Sequence, residues 1–229
     1  MLPDADAELA ATSVVAAAMG STGQKCTATR RVILVGGGHE DFLARVKDKV
    51  SKLVLGPGTD SSVQIGPVVS PSACEEINAA IEQALSEGGE ILAQAVLPEG
   101  EGSYVAPTVL TGPRSMTICQ EEVFGPVTTV LPADTLEDAI ELANNTAFGL
   151  TAAVFSSDER AIRRCVSALQ AGLVKVKVNA PTTGSELHAP FGGMKDSTFA
   201  GPREQNSAAA ATFFTHEKTA YLRLAPKKV

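Results

Sequence analysis

Cysteine is scarce in this chain: Cys26, Cys74, Cys119 and Cys165 are its whole complement in 229 residues, and they lie far apart. No pair has the C-x-x-C spacing of a zinc site, and the density is far below that of a secreted disulfide scaffold. Reduced thiols, a cytoplasmic location and no metal centre are therefore expected. Positive charge is also in deficit. The net charge is -7, and the short basic end "APKKV" does not reverse it, which argues against a nucleic-acid or anionic-membrane surface built on a basic patch. No apolar run approaches the length of a membrane span, and the opening "MLPDADAELAA" is acidic where a secretion signal carries positive charge. Low-complexity segments and internal repeats are missing as well.

What remains is the make-up of a globular protein: 44% hydrophobic and 20% charged residues, with 20 glycines and 13 prolines spread along the length. Such a chain can bury the core of one large domain, or of one domain with an appendage. Residues 6–19, "DAELAATSVVAAAM", are alanine-rich with apolar residues on more than one side, which predicts a helix buried against several neighbours and stopped by Gly20. "RRVILVG" reads as a buried strand ended by Gly36, Gly37 and Gly38. "EDFLARVKDKVSKL" puts Phe42, Val46, Val50 and Leu53 on one helical face, and "PSACEEINAAIEQALSEGG" does the same for Ile77, Ala80, Ile81, Ala84 and Leu85. Two strands, "YVAPTVLT" and "PVTTVLPA", flank "CQEEVFG". A helix N-capped by Asp134 or Thr135 follows, then a strand "LTAAVFS", a helix capped by Ser156 or Ser157 and closed by Gly172, and a strand "LVKVKVN". Strands alternating with helices imply an α/β domain with a largely parallel sheet flanked by helices. The alternating tail "TFFTHEKTAYLRL" predicts a strand that leaves the domain to pair elsewhere, and hence oligomerisation.

Several stretches could carry chemistry. In "GSTGQKCTATRR", Cys26 sits among small residues that would let a substrate and backbone N–H groups approach, with Lys25, Arg30 and Arg31 near in sequence to favour a thiolate. Local composition alone favours the other fate of a free cysteine, a small buried hydrophobe. The pair Glu121 and Glu122 precedes "VFGP"; alternating side-chain directions would let at most one of them face a site. "VILVGGGHEDF" lacks the G-x-G-x-x-G spacing of a phosphate loop and opens its helix on two acids, so a plain strand-to-helix turn is expected. His39, His188 and His216 are too scattered for a metal site or a catalytic triad. In "HAPFGGMKDSTF", Phe191 is equally suited to lining an apolar pocket and to plugging the core.

Taken together, "GQKCTATRR", "QEEVFGPV" and "PFGGMKDSTFAGPRE", in this order, resemble the NAD(P)-dependent aldehyde dehydrogenase superfamily, and the opening "LPDADAELAA" is similar to the helix that precedes its cysteine. The resemblance covers essentially the whole chain. Within the superfamily, "GSELHAPFGG", "GPREQ" and "FFTHEKTAYLR" look most like the branch acting on 2-oxoglutarate semialdehyde (2,5-dioxopentanoate) and similar carboxylated aldehydes. One departure is local: the stretch after Ser197 reads Thr198-Phe199-Ala200-Gly201-Pro202 where the family more often has a glycine and a direct Gly-Arg-Glu.

The resemblance implies roles. Cys26 would be the nucleophile, with its backbone N–H holding the oxyanion; Glu122 would bind the nicotinamide ribose, Phe124 would pack beside it, and Phe191 would line the aldehyde pocket. NAD or NADP would be the cofactor, a small aldehyde the substrate, and a homo-oligomer or a pairing with full-length subunits the assembly. The family's Rossmann-type domain, oxyanion asparagine and Glu-Leu-Gly-Gly glutamate precede the cysteine segment and have no match here. The expected organisation is therefore a catalytic domain over 1–208 and an oligomerisation segment over 209–229, without the N-terminal cofactor-binding domain. Such a chain alone would have little or no NAD-dependent activity. Two other readings stand beside this one: a truncated, non-catalytic partner of full-length subunits, and a cofactor-free thiol esterase.

Overall fold

A computed structural model of the chain describes residues 1–172, 176–198 and 206–223. Its centre is a four-stranded sheet in the order β1-β4-β3-β2, formed by β1 (Arg31–Val35), β2 (Glu90–Gln94), β3 (Thr108–Thr111) and β4 (Val127–Ala133). β1 and β3 both run parallel to β4, and β2 closes one edge antiparallel to β3. The expected α/β architecture with a largely parallel sheet is what forms.

β4 shows why its sequence does not alternate. It lies between two strands with both faces covered, and every residue from Val127 to Leu131 is buried. Val130 joins Val109, Phe42, Val46 and Val50 in one core; Val127 and Leu131 join Leu110, Ile77 and Ile81 in another. The first core is roofed by α1 (Ala7–Met19) and α2 (Glu40–Ser51), the second by α3 (Pro71–Ser86). Ala10, Ala11, Ala17 and Ala18 are completely buried, so the alanine-rich α1 lets its neighbours approach closely. Asp6 caps α1 by accepting from the Leu9 amide at 3.0 Å, and Ser70 caps α3 by accepting from Ala73 at 3.1 Å.

Beyond β4 come α4 (Leu136–Asn144), capped by Thr135, then β5 (Phe148–Gly149), β6 (Ala152–Val154), α5 (Glu159–Ala168), β7 (Val176–Val178), β8 (Met194–Lys195) and α6 (Ser207–Phe213). β6 pairs with β7 in parallel and β5 with β8 antiparallel, as two small separate sheets.

Three local expectations need correction, and one strand, β2, was not foreseen. Asp158, not Ser156 or Ser157, caps α5, because both serine hydroxyls are taken by the Asp4 carboxylate at 2.9 and 2.7 Å. Leu85 is 38% exposed rather than inward. β2 carries no alternation and escapes a pattern-based reading. The tail is helical through Phe213, where Ala208–Ala211 supply strong helix formers; α6 thus crosses the expected 208/209 boundary, and residues 214–223 carry no strand. The remainder of the third motif, residues 199–204, lies outside the described residues. Among the described residues no helix is long and apolar enough to cross a membrane, and no group of three or more His, Cys, Asp or Glu could hold a metal ion.

Surface carboxylates tie elements together. Lys49 and Arg45 of α2 hold the Glu8 carboxyl of α1 down at about 2, and Arg114 holds Asp138 at about 2. A carboxyl depressed below its unfolded value of about 4 contributes stability above that value and loses it as pH falls through the folded one. The urea midpoint should therefore drop between about pH 4 and about pH 2, and more steeply than in a Glu8→Gln/Asp138→Asn double variant. Parallel pH curves for the two proteins would contradict this.

Candidate active site

α1 ends at Gly20, and the chain then passes through three successive left-handed residues, Ser21 (φ 53°), Thr22 (φ 55°) and Gly23 (φ 63°). This turn drives the backbone of Gly23 against that of Gly125: a Cβ at Gly23 would stand 2.0 Å from the Gly125 carbonyl oxygen and 2.8 Å from that of Ala18. The cysteine loop and the "EEVFGP" loop are thereby in backbone contact, although about a hundred residues separate them in the chain.

Cys26 follows on the exposed side of this junction, while Thr27, Ala28 and Thr29 are buried and anchor it. The Thr182 hydroxyl fastens the anchor from outside, donating to the Thr27 carbonyl at 2.8 Å and lying 2.8 Å from the Thr29 hydroxyl. Among the described residues the Cys26 amide donates to no carbonyl, so it is available to an oxyanion. The preference for a buried hydrophobe drawn from local composition is overturned by this exposure. Cys119 and Cys165 have that fate instead, and burial pushes both thiols up. Iodoacetamide at neutral pH should therefore label Cys26 first, with Cys119 and Cys165 slower by about tenfold or more. Peptide mass spectrometry reads the order, and equal labelling of all four would refute it.

The guanidinium groups of Arg30 and Arg31 are engaged away from the thiol. Arg31 donates to the carbonyls of Leu142 and Ala143, both at 3.0 Å, and Lys195 donates to those of Asn144 at 2.5 Å and Thr146 at 3.0 Å. Together they cap the C-terminus of α4, a structural task. Arg30 turns toward the acid loop, with its Nε 3.7 Å from the Glu122 carboxylate.

That loop leaves a 3-10 turn, Thr117–Cys119, and is wedged against α3, where a Cβ on Gly125 would meet Ile77 at 2.5 Å. Glu121 and Glu122 are both exposed, and both line the cavity of 480 Å³ that contains Cys26, Thr182 and Ser197. Residues 121–124 form no strand, and of the two acids Glu122 is the one that stands against Arg30. Glu122 also lines a second cavity of 420 Å³ with Phe124, Gln24 and Val69, and the Phe124 ring is 44% exposed. Of the third motif, Asp196 and Ser197 reach the Cys26 cavity; Phe191 is half-buried and is not among its lining residues. His39 lies under the glycine turn with Nε2 2.9 Å from the Val35 carbonyl.

Residues 1–220 match the model of the aldehyde dehydrogenase family. The chain belongs to this family. It is 38% identical over 225 residues to the alpha-ketoglutaric semialdehyde dehydrogenase of Bacillus subtilis, covering 96% of the chain and 45% of that relative. It is 41% identical over 217 residues to the alpha-ketoglutarate semialdehyde dehydrogenase of Haloferax volcanii, covering 93% of the chain and 44% of the relative. Among solved structures, 1-pyrroline-5-carboxylate dehydrogenase from Thermus with bound NAD superposes with a TM-score of 0.79 at 37% identity, over 85% of this chain and 37% of that one. The chain thus spans about half the length of the curated relatives it matches.

Within this member of the family, sequence reasoning missed the Gly23–Gly125 junction, the Thr182 fastener and the direction of Arg30. The glycines stand in the motifs themselves, so a close approach was a readable possibility. Thr182 carries no signal at all in "NAPTTGS".

Proposed function

We propose that this chain supplies the nucleophilic thiol and the nicotinamide-facing wall of an enzyme that oxidises an aldehyde, a carboxylated semialdehyde by preference, to the carboxylic acid with NAD or NADP. The observation that carries this reading is the meeting of exposed Cys26 and the Glu122 loop at one cavity. The residues suit a nicotinamide nucleotide: a carboxylate with side-chain exposure of 37% can accept from a ribose diol, and an exposed phenyl ring beside it can pack on sugar and base. A bound nicotinamide would supply the hydride acceptor.

The chain's own part is as follows. The Cys26 thiolate attacks the aldehyde carbon, forming a C–S bond and placing the negative charge on the former carbonyl oxygen, where the Cys26 amide donates to it. Collapse of that alkoxide re-forms the carbonyl as the C–H pair of electrons leaves with its hydrogen as hydride, giving a thioester on Cys26. Water then adds to the thioester; the carboxylic acid departs, one proton passes to solvent and the thiolate returns. By resemblance Phe191 would line the aldehyde pocket although it is not among the residues lining the Cys26 cavity, and the exposed tail after α6 would make an intersubunit contact.

The test is NADH formation with alpha-ketoglutaric semialdehyde by the chain alone, and by the chain mixed with the part of the Bacillus subtilis relative that it does not cover. The expected result is no turnover alone and turnover in the mixture. Turnover that survives Cys26→Ser would sink the reading. A second reading, a non-catalytic partner of full-length subunits, is favoured by the tail, where Tyr221 is 95% and Leu222 88% exposed. It predicts a stable complex with the full-length relative and no gain of activity in either mixture.

A further inference from the structure

Arg30 makes contacts that neither the thiol chemistry nor the sheet requires. Its main chain is fixed at the entrance to β1, where its carbonyl accepts from the Thr129 amide at 2.9 Å. Its side chain reaches back over both motif loops. Nη2 donates to the Gly23 carbonyl at 2.6 Å and Nη1 to the Gly125 carbonyl at 2.7 Å, so one guanidinium spans the junction between the thiol loop and the acid loop. Nε stands 3.7 Å from Glu122 Oε1, and the guanidinium carbon lies 5.5 Å from the centre of the Phe124 ring. The side chain is only 18% exposed; burial works against its charge, and the Glu122 carboxylate works for it.

The 3.7 Å separation matters. A bidentate arginine–carboxylate pair would occupy both carboxylate oxygens. At this distance the charge orients Glu122 while its oxygens stay open to the hydroxyls of a diol. The ring of Phe124 likewise contacts the cation while the residue remains 44% exposed.

We propose that Arg30 is a positioning residue for the nicotinamide end of the site: it locks the thiol loop and the acid loop into one register and presents Glu122 and Phe124 together to a bound nicotinamide ribose. This rests on the reading of Glu122 and Phe124 given above. Lysine is not a substitute, because a point charge cannot span two carbonyls on opposite sides and stack on a ring at once.

The experiment compares the wild-type chain with Arg30→Met and Arg30→Lys by amide hydrogen exchange, and titrates each with reduced nicotinamide mononucleotide (NMNH). In both variants exchange over 20–26 and 120–126 should speed by about tenfold or more, with β4 and α3 unchanged. The NMNH dissociation constant should rise by about tenfold in Arg30→Met. In a Glu122→Gln background the same substitution should add nothing, as for residues that act through one another. Unchanged exchange in the two loops would overturn the proposal. So would a uniform speeding across the chain, the mark of a general structural role, or an NMNH loss of the same size in the Glu122→Gln background. A wild-type chain that does not bind NMNH refutes the cofactor reading of Glu122 and Phe124, and the exchange data then decide the loop clamp separately.

Discussion

Cys26→Ser is expected to abolish aldehyde-dependent NADH formation in the reconstituted mixture, by on the order of a thousandfold or more, while leaving the folded chain as stable as before. The two halves of that expectation have separate physical causes. The side chain is exposed, so exchanging sulfur for oxygen creates no cavity and buries no hydroxyl, and the melting temperature should stay within about 2 °C. The chemistry, by contrast, needs an anion at neutral pH. A thiol is a strong nucleophile through its thiolate, and a serine hydroxyl with no base beside it is not. Cys119→Ser supplies the mirror image. That residue is 2% exposed in the second core, and forcing a hydroxyl there costs about 1–3 kcal/mol, with no direct contact to the reacting carbon. Activity that falls in Cys119→Ser and persists in Cys26→Ser would mean that the wrong thiol has been assigned.

The parts of this fold that were legible in its sequence are those governed by local rules. Phe42, Val46 and Val50 recur at helical spacing and all three are buried; the Ser70-Pro71 start and the Thr135 cap obey terminus preferences that act over three residues. What stayed hidden depends on partners far along the chain. Ser156 and Ser157 are sound caps by local chemistry, and only the arrival of Asp4 takes them away from α5. Arg30 and Arg31 are adjacent and chemically identical, yet one bridges the two motif loops and the other caps α4, because consecutive side chains entering a strand point to opposite faces. Cys26 shows the same limit from the other direction: its neighbours are small enough to bury a thiol, and the left-handed turn before it that meets Gly125 is one that no local pattern announces.

That contact yields the sharpest stability prediction. Gly23→Ala should lower the melting temperature by roughly 6–12 °C, from a loss of about 3 kcal/mol. Two costs add. At φ 63° any L side chain is strained, and the new Cβ would stand 2.0 Å from the Gly125 carbonyl oxygen, a backbone atom that cannot swing aside as a side chain could. Gly20→Ala is the matched control three residues earlier, where φ is -56° and no atom lies within 4 Å of the added methyl; it should be neutral or slightly stabilising. The same clash has a second consequence. Relieving it separates the Gly23 and Gly125 carbonyls that a single guanidinium now spans, so Gly23→Ala should loosen residues 120–126 as well as its own loop. Differential scanning calorimetry and hydrogen exchange on the two alanine variants would test both steps. Equal melting temperatures for Gly23→Ala and Gly20→Ala would show that the junction between the loops is not a tight one, and would remove the structural basis for placing Cys26 and Glu122 in one site.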